Sequence, residues 1–121
     1  MIFSLNMSGE TPIYVQLRNQ IVLGIGNGEL LPGEPLPTVR QLAEDIGINN
    51  MTVNKAYQIL KSEGYIVIDR RHGAKVAEKQ KSDSEFKTAL KDKIKLAAAE
   101  AKAHGMDFQE YMKFCEEAYG K

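Results

Sequence analysis

Between residues 50 and 61 a helical register puts Asn50, Met51, Asn54, Lys55, Gln58 and Lys61 on the same outward side. An asparagine amide can donate and accept at once, which matches the N6 and N7 edge of adenine, and lysine suits phosphate or guanine. On an isolated helix the same strip is equally well explained by contact with water, so its surroundings must decide. Residue types that do other chemistry are scattered. His72, His104 and Cys115 lack metal-ligand spacing, and no Ser/His/Asp or paired-carboxylate arrangement converges. No catalytic residue, metal ligand or cofactor is therefore assigned. Gly24, Gly26 and Gly28 resemble a phosphate cradle only superficially, since no strand precedes them and the spacing is not G-x-G-x-x-G.

The strip lies in the second of two helices joined by a tight turn. Thr38 offers an N-cap with Gln41 three residues on, the spacing of a capping box. Val39, Leu42, Ala43 and Ile46 form one apolar stripe. Gly47 follows as the C′ residue, free to take a positive φ. Asn49 then caps a second helix that carries Val53, Ala56, Tyr57 and Leu60 inward and stops at Gly64. Two short helices about a glycine are a helix-turn-helix, whose second helix enters the DNA major groove.

Flanking segments extend this plan. Residues 2–9 read as a loose lead-in. Thr11 and Pro12 read as N-cap and first helical position of a helix to about Asn27, with Ile13, Leu17, Ile21 and Ile25 at intervals of four. Residues 30–37 are a proline-punctuated turn with leucine plugs. Tyr65–Ile68 and Ala74–Ala77 read as a hairpin whose tip carries Arg70, Arg71, His72 and Gly73, with Lys75 nearby. A basic tip beside a recognition helix suits a minor groove or flanking phosphates better than a solvated turn. Residues 79–84 read as a linker. A helix from about Glu85 presents Phe86, Leu90, Ile94, Ala97, Ala101 and His104, and a second, capped by Asp107, presents Phe108, Tyr111, Met112, Cys115 and Tyr119. Two such helices cannot enclose their own apolar faces, and the alanines favour close approach in a dimer seam.

Bulk properties narrow the class. Lys+Arg and Asp+Glu are both 16 in 121 residues, so no net field draws the chain to nucleic acid and any contact must come from a local patch. A balance of this kind speaks against a non-specific DNA coater. The single Cys115 precludes an internal disulfide and suits a reducing compartment. The N-terminus lacks a basic start and a sustained apolar run, and no stretch is long enough to span a bilayer. A cytoplasmic protein without membrane contact is expected.

The blocks Pro12-Ile13-Tyr14-Val15-Gln16-Leu17, Gly28-Glu29-Leu30-Leu31-Pro32-Gly33, Leu36-Pro37-Thr38-Val39-Arg40-Gln41-Leu42-Ala43, Thr52-Val53 and Leu60-Lys61-Ser62-Glu63-Gly64-Tyr65 occur in order. Over residues 11 to about 78 the chain closely resembles the GntR family of bacterial transcription regulators, and its short two-helix tail looks like the YtrA subfamily. That resemblance implies a homodimer, usually a repressor, often of a transporter operon. It places Arg40 on the arginine of the L-P-[ST]-x-R block and Thr52 on the threonine that opens the recognition helix. The family often has arginine where Asn50 and Asn54 stand. Its wing pattern R-G-x-G-T-[FY]-V is met here by Arg71-His72-Gly73-Ala74-Lys75-Val76, without the first glycine and the aromatic.

The expected fold is mainly α with a small β-hairpin wing. A winged helix-turn-helix over 10–78 precedes a linker over 79–84 and a helical dimerisation tail over 85–121. Expected DNA contacts are Arg40, Asn49, Asn50, Met51, Thr52, Asn54, Lys55, Arg70, Arg71, His72, Gly73 and Lys75. Lys55, Lys61 and Lys75 are assigned to phosphates, and Arg40, Asn50 and Asn54 to bases. The expected dimer interface comprises Phe86, Leu90, Ile94, Ala97, Ala101, Phe108, Tyr111 and Met112. The partners are double-stranded DNA bearing an inverted-repeat operator and a second copy of the chain; an unknown small-molecule effector is compatible, but no residue set points to one. A different class, a winged helix used as a protein-interaction module without operator binding, is disfavoured by Arg40 and the basic tip.

Overall fold

The computed structural model describes residues 3–71, 73–78 and 82–120. His72 and the linker positions 79–81 lie outside the described residues. In chain order the elements are α1 (Ile13–Gly26), α2 (Val39–Ile46), α3 (Asn50–Ser62), β1 (Ile66–Asp69), β2 (Gly73–Val76), α4 (Ser84–Ala103) and α5 (Phe108–Tyr119). They divide into two compact units, Met1–Gln80 and Lys81–Lys121.

In the first unit α3 is the hub. Val53, Ala56, Tyr57 and Leu60 point inward from it and are buried, against Leu17 and Ile21 of α1 and Leu42 and Ala43 of α2. Ile66, Ala74 and Val76 close the core from the hairpin. Every α2 signal has a local physical cause. The Gln41 N–H donates to Thr38 Oγ1 at 3.0 Å and the Thr38 N–H to Gln41 Oε1 at 3.1 Å, so two orphan donors of the helix start are satisfied reciprocally. Gly47 ends the helix at φ 70°, where a Cβ would carry a conformational penalty without meeting any atom within 4 Å. The Met51 N–H donates to Asn49 Oδ1 at 2.7 Å and starts α3.

Three segments differ from the sequence reading. Thr11 does not cap α1; Pro12 occupies the cap position without a side-chain bond, and Gln16 Nε2 donates to the Thr11 carbonyl at 2.8 Å instead. The lead-in is not loose. Gln16 and Gln20 exchange hydrogen bonds with the backbone of Asn6 and Ser4, and Phe3 packs against the core. The hairpin pairs Ile66 with Val76 and Asp69 with Gly73, so each strand is displaced by one residue from the expected limits. The turn chemistry explains the displacement. Asp69 Oδ1 accepts the Arg71 N–H at 2.8 Å, and Gly73 at φ 73° returns the chain. The proline-rich segment also lies along β2: the Gly33 N–H donates to the Val76 carbonyl and the Leu36 N–H to the Ala74 carbonyl, each at 2.9 Å. Leu30 and Leu36 are the buried plugs, whereas Leu31 is exposed.

The second unit consists of two helices joined by a short turn at Gly105. Asp83 caps α4, which begins at Ser84, one residue before its expected start, and Asp107 caps α5 through the Glu110 N–H at 2.8 Å. Neither helix buries a single residue.

Tyr57 supplies the test of the core. Its hydroxyl donates to the Pro37 carbonyl at 2.7 Å, and burial pushes the phenol from 10.0 to about 12. The folded chain therefore holds this proton more tightly than the unfolded chain. The stability it provides is intact below pH 10 and is lost as pH climbs from 10 towards about 12. Tyr57→Phe is expected to lower stability near neutral pH by about 0.5–1.5 kcal/mol, and to flatten the fall in denaturant midpoint over that alkaline window. Parallel alkaline slopes for both proteins would contradict the assignment.

Candidate nucleic-acid interface

The outward side of α3 is built by the burial of the inward side. With Val53, Ala56, Tyr57 and Leu60 fixed in the core, Asn50, Met51, Asn54, Lys55, Gln58 and Lys61 are all exposed. Among the described residues no side-chain hydrogen bond or ion pair holds Asn50, Asn54, Gln58 or Lys61, so both amides retain donor and acceptor capacity. Asn50 and Asn54 are one helical turn apart and share a line along the helix. Such a line, 13 residues long at most, has the dimensions of a major-groove reader.

The remaining expected contacts are distributed around it. Arg40 is exposed in the first turn of α2, without a side-chain partner among the described residues. Asn49 uses its oxygen in the cap, and its amide NH2 is the group left without a bond among the described residues. Thr52 is half-buried. Arg70 and Arg71 are exposed on the hairpin turn, Gly73 follows them, and Lys75 is half-buried opposite Val67. His72 cannot be placed.

Lys55 differs from the others. Its Nζ stands 4.1 Å from the centre of the Tyr14 ring, close enough for a cation–π contact that holds the ammonium beside α1. The phosphate assignment for Lys55 thus requires it to leave or share that ring. Tyr14 is a residue that pattern reading of the strip missed. Its signal was present as an aromatic in the first turn of α1, but only the packing of α1 on α3 reveals its partner. A second cross-element link, Arg18 Nε to Glu63 Oε1 at 2.9 Å with Tyr65 under the guanidinium, fastens α1 to the end of α3.

Among the described residues no cluster of three His, Cys, Asp or Glu side chains stands ready for a metal ion, and no helix is long and apolar enough to cross a membrane. A recess of about 580 Å³ is lined by Phe3, Leu30, Leu36, Leu42 and Ile46 among others, with Glu29, Glu34 and Asp45 at its edge. None of the expected DNA contacts lines it. In the second unit Ala98, Ala101, Met106, Phe108, Tyr111 and Met112 line an apolar cleft of about 410 Å³. Ala97 is exposed and off this cleft, while Leu96 and Phe114 add exposed apolar surface that the expected seam did not include.

A three-helix core, with a free amide face on the outward side of its third helix, and a basic hairpin define a winged helix-turn-helix protein. Residues 11–76 match the family described as bacterial regulatory proteins, gntR family. The chain belongs to that family, whose members are transcription regulators that bind DNA and are not enzymes. It is 35% identical over 88 residues to the HTH-type transcriptional regulator Rv1152 of Mycobacterium tuberculosis, covering 73% of each chain. It is 35% identical over 109 residues to the HTH-type transcriptional repressor YtrA of Bacillus subtilis, covering 88% of this chain and 84% of that one. With the repressor NagR of Bacillus subtilis it shares 43% identity over 63 residues, 52% of this chain but only 26% of the relative.

Solved structures agree. A transcriptional antiterminator from Listeria monocytogenes EGD-e superimposes with a TM-score of 0.90 at 26% identity, over 100% of this chain and 95% of that one. YtrA from Sulfolobus acidocaldarius gives 0.69 at 37% identity over 82% and 99%. The DNA-binding domain of AraR, solved in complex with operator ORX1, gives 0.57 at 27% identity over 64% and 99%.

The Tyr14–Lys55 contact has a measurable strength. A double-mutant cycle of Tyr14→Leu and Lys55→Gln on thermal unfolding is expected to give a coupling of about 0.5–1 kcal/mol in free protein. Additive effects would mean that the ammonium does not reside on the ring.

Proposed function

We propose that this chain is a homodimeric repressor that binds an inverted-repeat operator, with α3 in the major groove and the hairpin as a wing on the flanking minor groove or phosphates. The observation that carries the reading is the amide face of α3, with Asn50 and Asn54 exposed and without side-chain partners while the opposite face is locked in the core. The operator complexes of the structurally similar AraR domain support it. Asn50 and Asn54 read bases together with Arg40; Lys61 and Lys75 meet phosphates, and Lys55 joins them when it leaves Tyr14. The proposed division is a DNA-binding part over 10–78, a linker over 79–84 and a dimerisation tail over 85–121, working in the cytoplasm on a nearby operon; the repressor role is in keeping with the name of the YtrA relative.

The tail supports the dimer through what it leaves uncovered. Phe86, Leu90, Ile94, Phe108 and Met112 are all exposed, Phe108 by 75%. Two helices with no buried residue are marginal in water by themselves, and a second copy would cover them. Charge is complementary too. Helix α4 carries five lysines against three carboxylates, and α5 one lysine against three glutamates. An antiparallel meeting of α4 with the partner's α5 pairs opposite signs around an apolar seam.

Two experiments test the reading. Selection of bound duplexes from a random pool is expected to return a dyad with half-site centres about one helical turn apart, roughly 34–36 Å. The half-sites are expected to be A·T-rich, because asparagine pairs best with adenine and arginine favours narrow A-tract grooves. A pool without a dyad, or with G·C-rich half-sites, would overturn it. Leu90→Asp removes a side chain whose burial contributes about 1.5–3 kcal/mol and places a charge in the seam. That variant is expected to sediment as a monomer at micromolar concentration; an intact dimer would exclude this seam.

A further inference from the structure

Among the described residues of the first unit Met51 is the most exposed large apolar side chain, at 78%, and it takes no part in the core. Its backbone N–H is held by the helix cap, donating to Asn49 Oδ1 at 2.7 Å. It follows Asn50 directly and precedes Asn54 and Lys55 by three and four residues, so its thioether arm stands on the same strip as the two free amides. A long apolar arm held in water between hydrogen-bonding groups has no function in the unit's own packing.

The major-groove chemistry of an A·T pair supplies one. Adenine shows N7 and N6, which an asparagine amide satisfies, and thymine shows O4 and a 5-methyl group. That methyl offers nothing to an amide or an ammonium, and only an apolar side chain can remove it from water. We propose that Met51 is a specificity-determining residue that covers the 5-methyl of a thymine in a base pair next to one read by Asn50 or Asn54. The inference rests on the reading of α3 as the groove-entering helix. It adds sequence information at a neighbouring pair, since cytosine at that position lacks the methyl and presents an amine.

Deoxyuridine removes the methyl without altering the pairing, so it isolates the contact. Each thymine of a selected half-site is replaced singly by deoxyuridine, and affinities are measured for the full chain and for Met51→Ala and Met51→Leu. At one thymine the full chain is expected to lose about three- to fivefold, the worth of roughly one buried methyl. Met51→Ala is expected to bind the thymine operator more weakly and to be indifferent to deoxyuridine there, whereas Met51→Leu keeps the sensitivity. A purely structural role for Met51 would leave the deoxyuridine penalty unchanged in Met51→Ala. Equal penalties in the full chain and Met51→Ala, or no sensitive thymine, would overturn the proposal while operator binding persists. Failure of the full chain to prefer any duplex would instead remove the reading of α3 on which it stands.

Discussion

The Tyr57 hydroxyl, 2.7 Å from the Pro37 carbonyl, ties α3 to the residue that immediately precedes the cap of α2. Proline has no N–H to give, so its carbonyl is the one strong polar group that its backbone can commit. A buried phenol on that carbonyl is satisfied without water, and it sets where α2 begins relative to α3. Arg40 lies three residues beyond Pro37, and Asn54 three residues before Tyr57. Their relative placing therefore depends on one hydrogen bond and the apolar contacts around it. The same burial divides α3 into two faces, because Val53, Ala56 and Leu60 are wholly enclosed beside Tyr57. What the core takes from one side of the helix it leaves free on the other.

The hairpin obeys a similar division. Ile66, Ala74 and Val76 anchor its base in the core, while β1 past Ile66 is exposed along its length. The 33–36 segment bonds to the outer edge of β2, which both occupies an edge that would otherwise be open and braces the strand carrying Lys75. The basic turn at Arg70 and Arg71 is thus a projection from a fixed base. In the second unit no comparable enclosure exists, and neither α4 nor α5 has a buried residue.

Legibility in the sequence followed the range of the interactions. Thr38 with Gln41, Gly47, Asn49 and Asp107 act within four residues, and each appears in the structure where spacing predicts it. The inward face of α3 was equally plain, because a 3.6-residue period repeats over more than two turns. Features joining distant segments were not legible. Gln16 and Gln20 look like ordinary surface residues until the chain before α1 returns to bond them. Thr11 had the type of a cap but not the position, since the helix starts at Ile13 and Pro12 stands at the cap. The wing slipped by one residue because Asp69 was counted as turn when its backbone still pairs with Gly73. Lys55 read as free because its partner, Tyr14, lies 41 positions earlier.

Placing α3 in the groove makes a contrast between side-chain amides the most direct test. Asn50 and Asn54 have NH2 groups without partners among the described residues, whereas Gln16 and Gln20 already donate to backbone carbonyls in the same unit. The side-chain NH2 resonances of all four can be followed by ¹⁵N-correlated NMR as duplex carrying the selected dyad is added. Shifts at Asn50 and Asn54 that saturate with one duplex per dimer, with Gln16 and Gln20 unmoved, are the expected result. Binding that moves Gln16, Gln20 or the α4 and α5 helices and leaves Asn50 and Asn54 in place would contradict it.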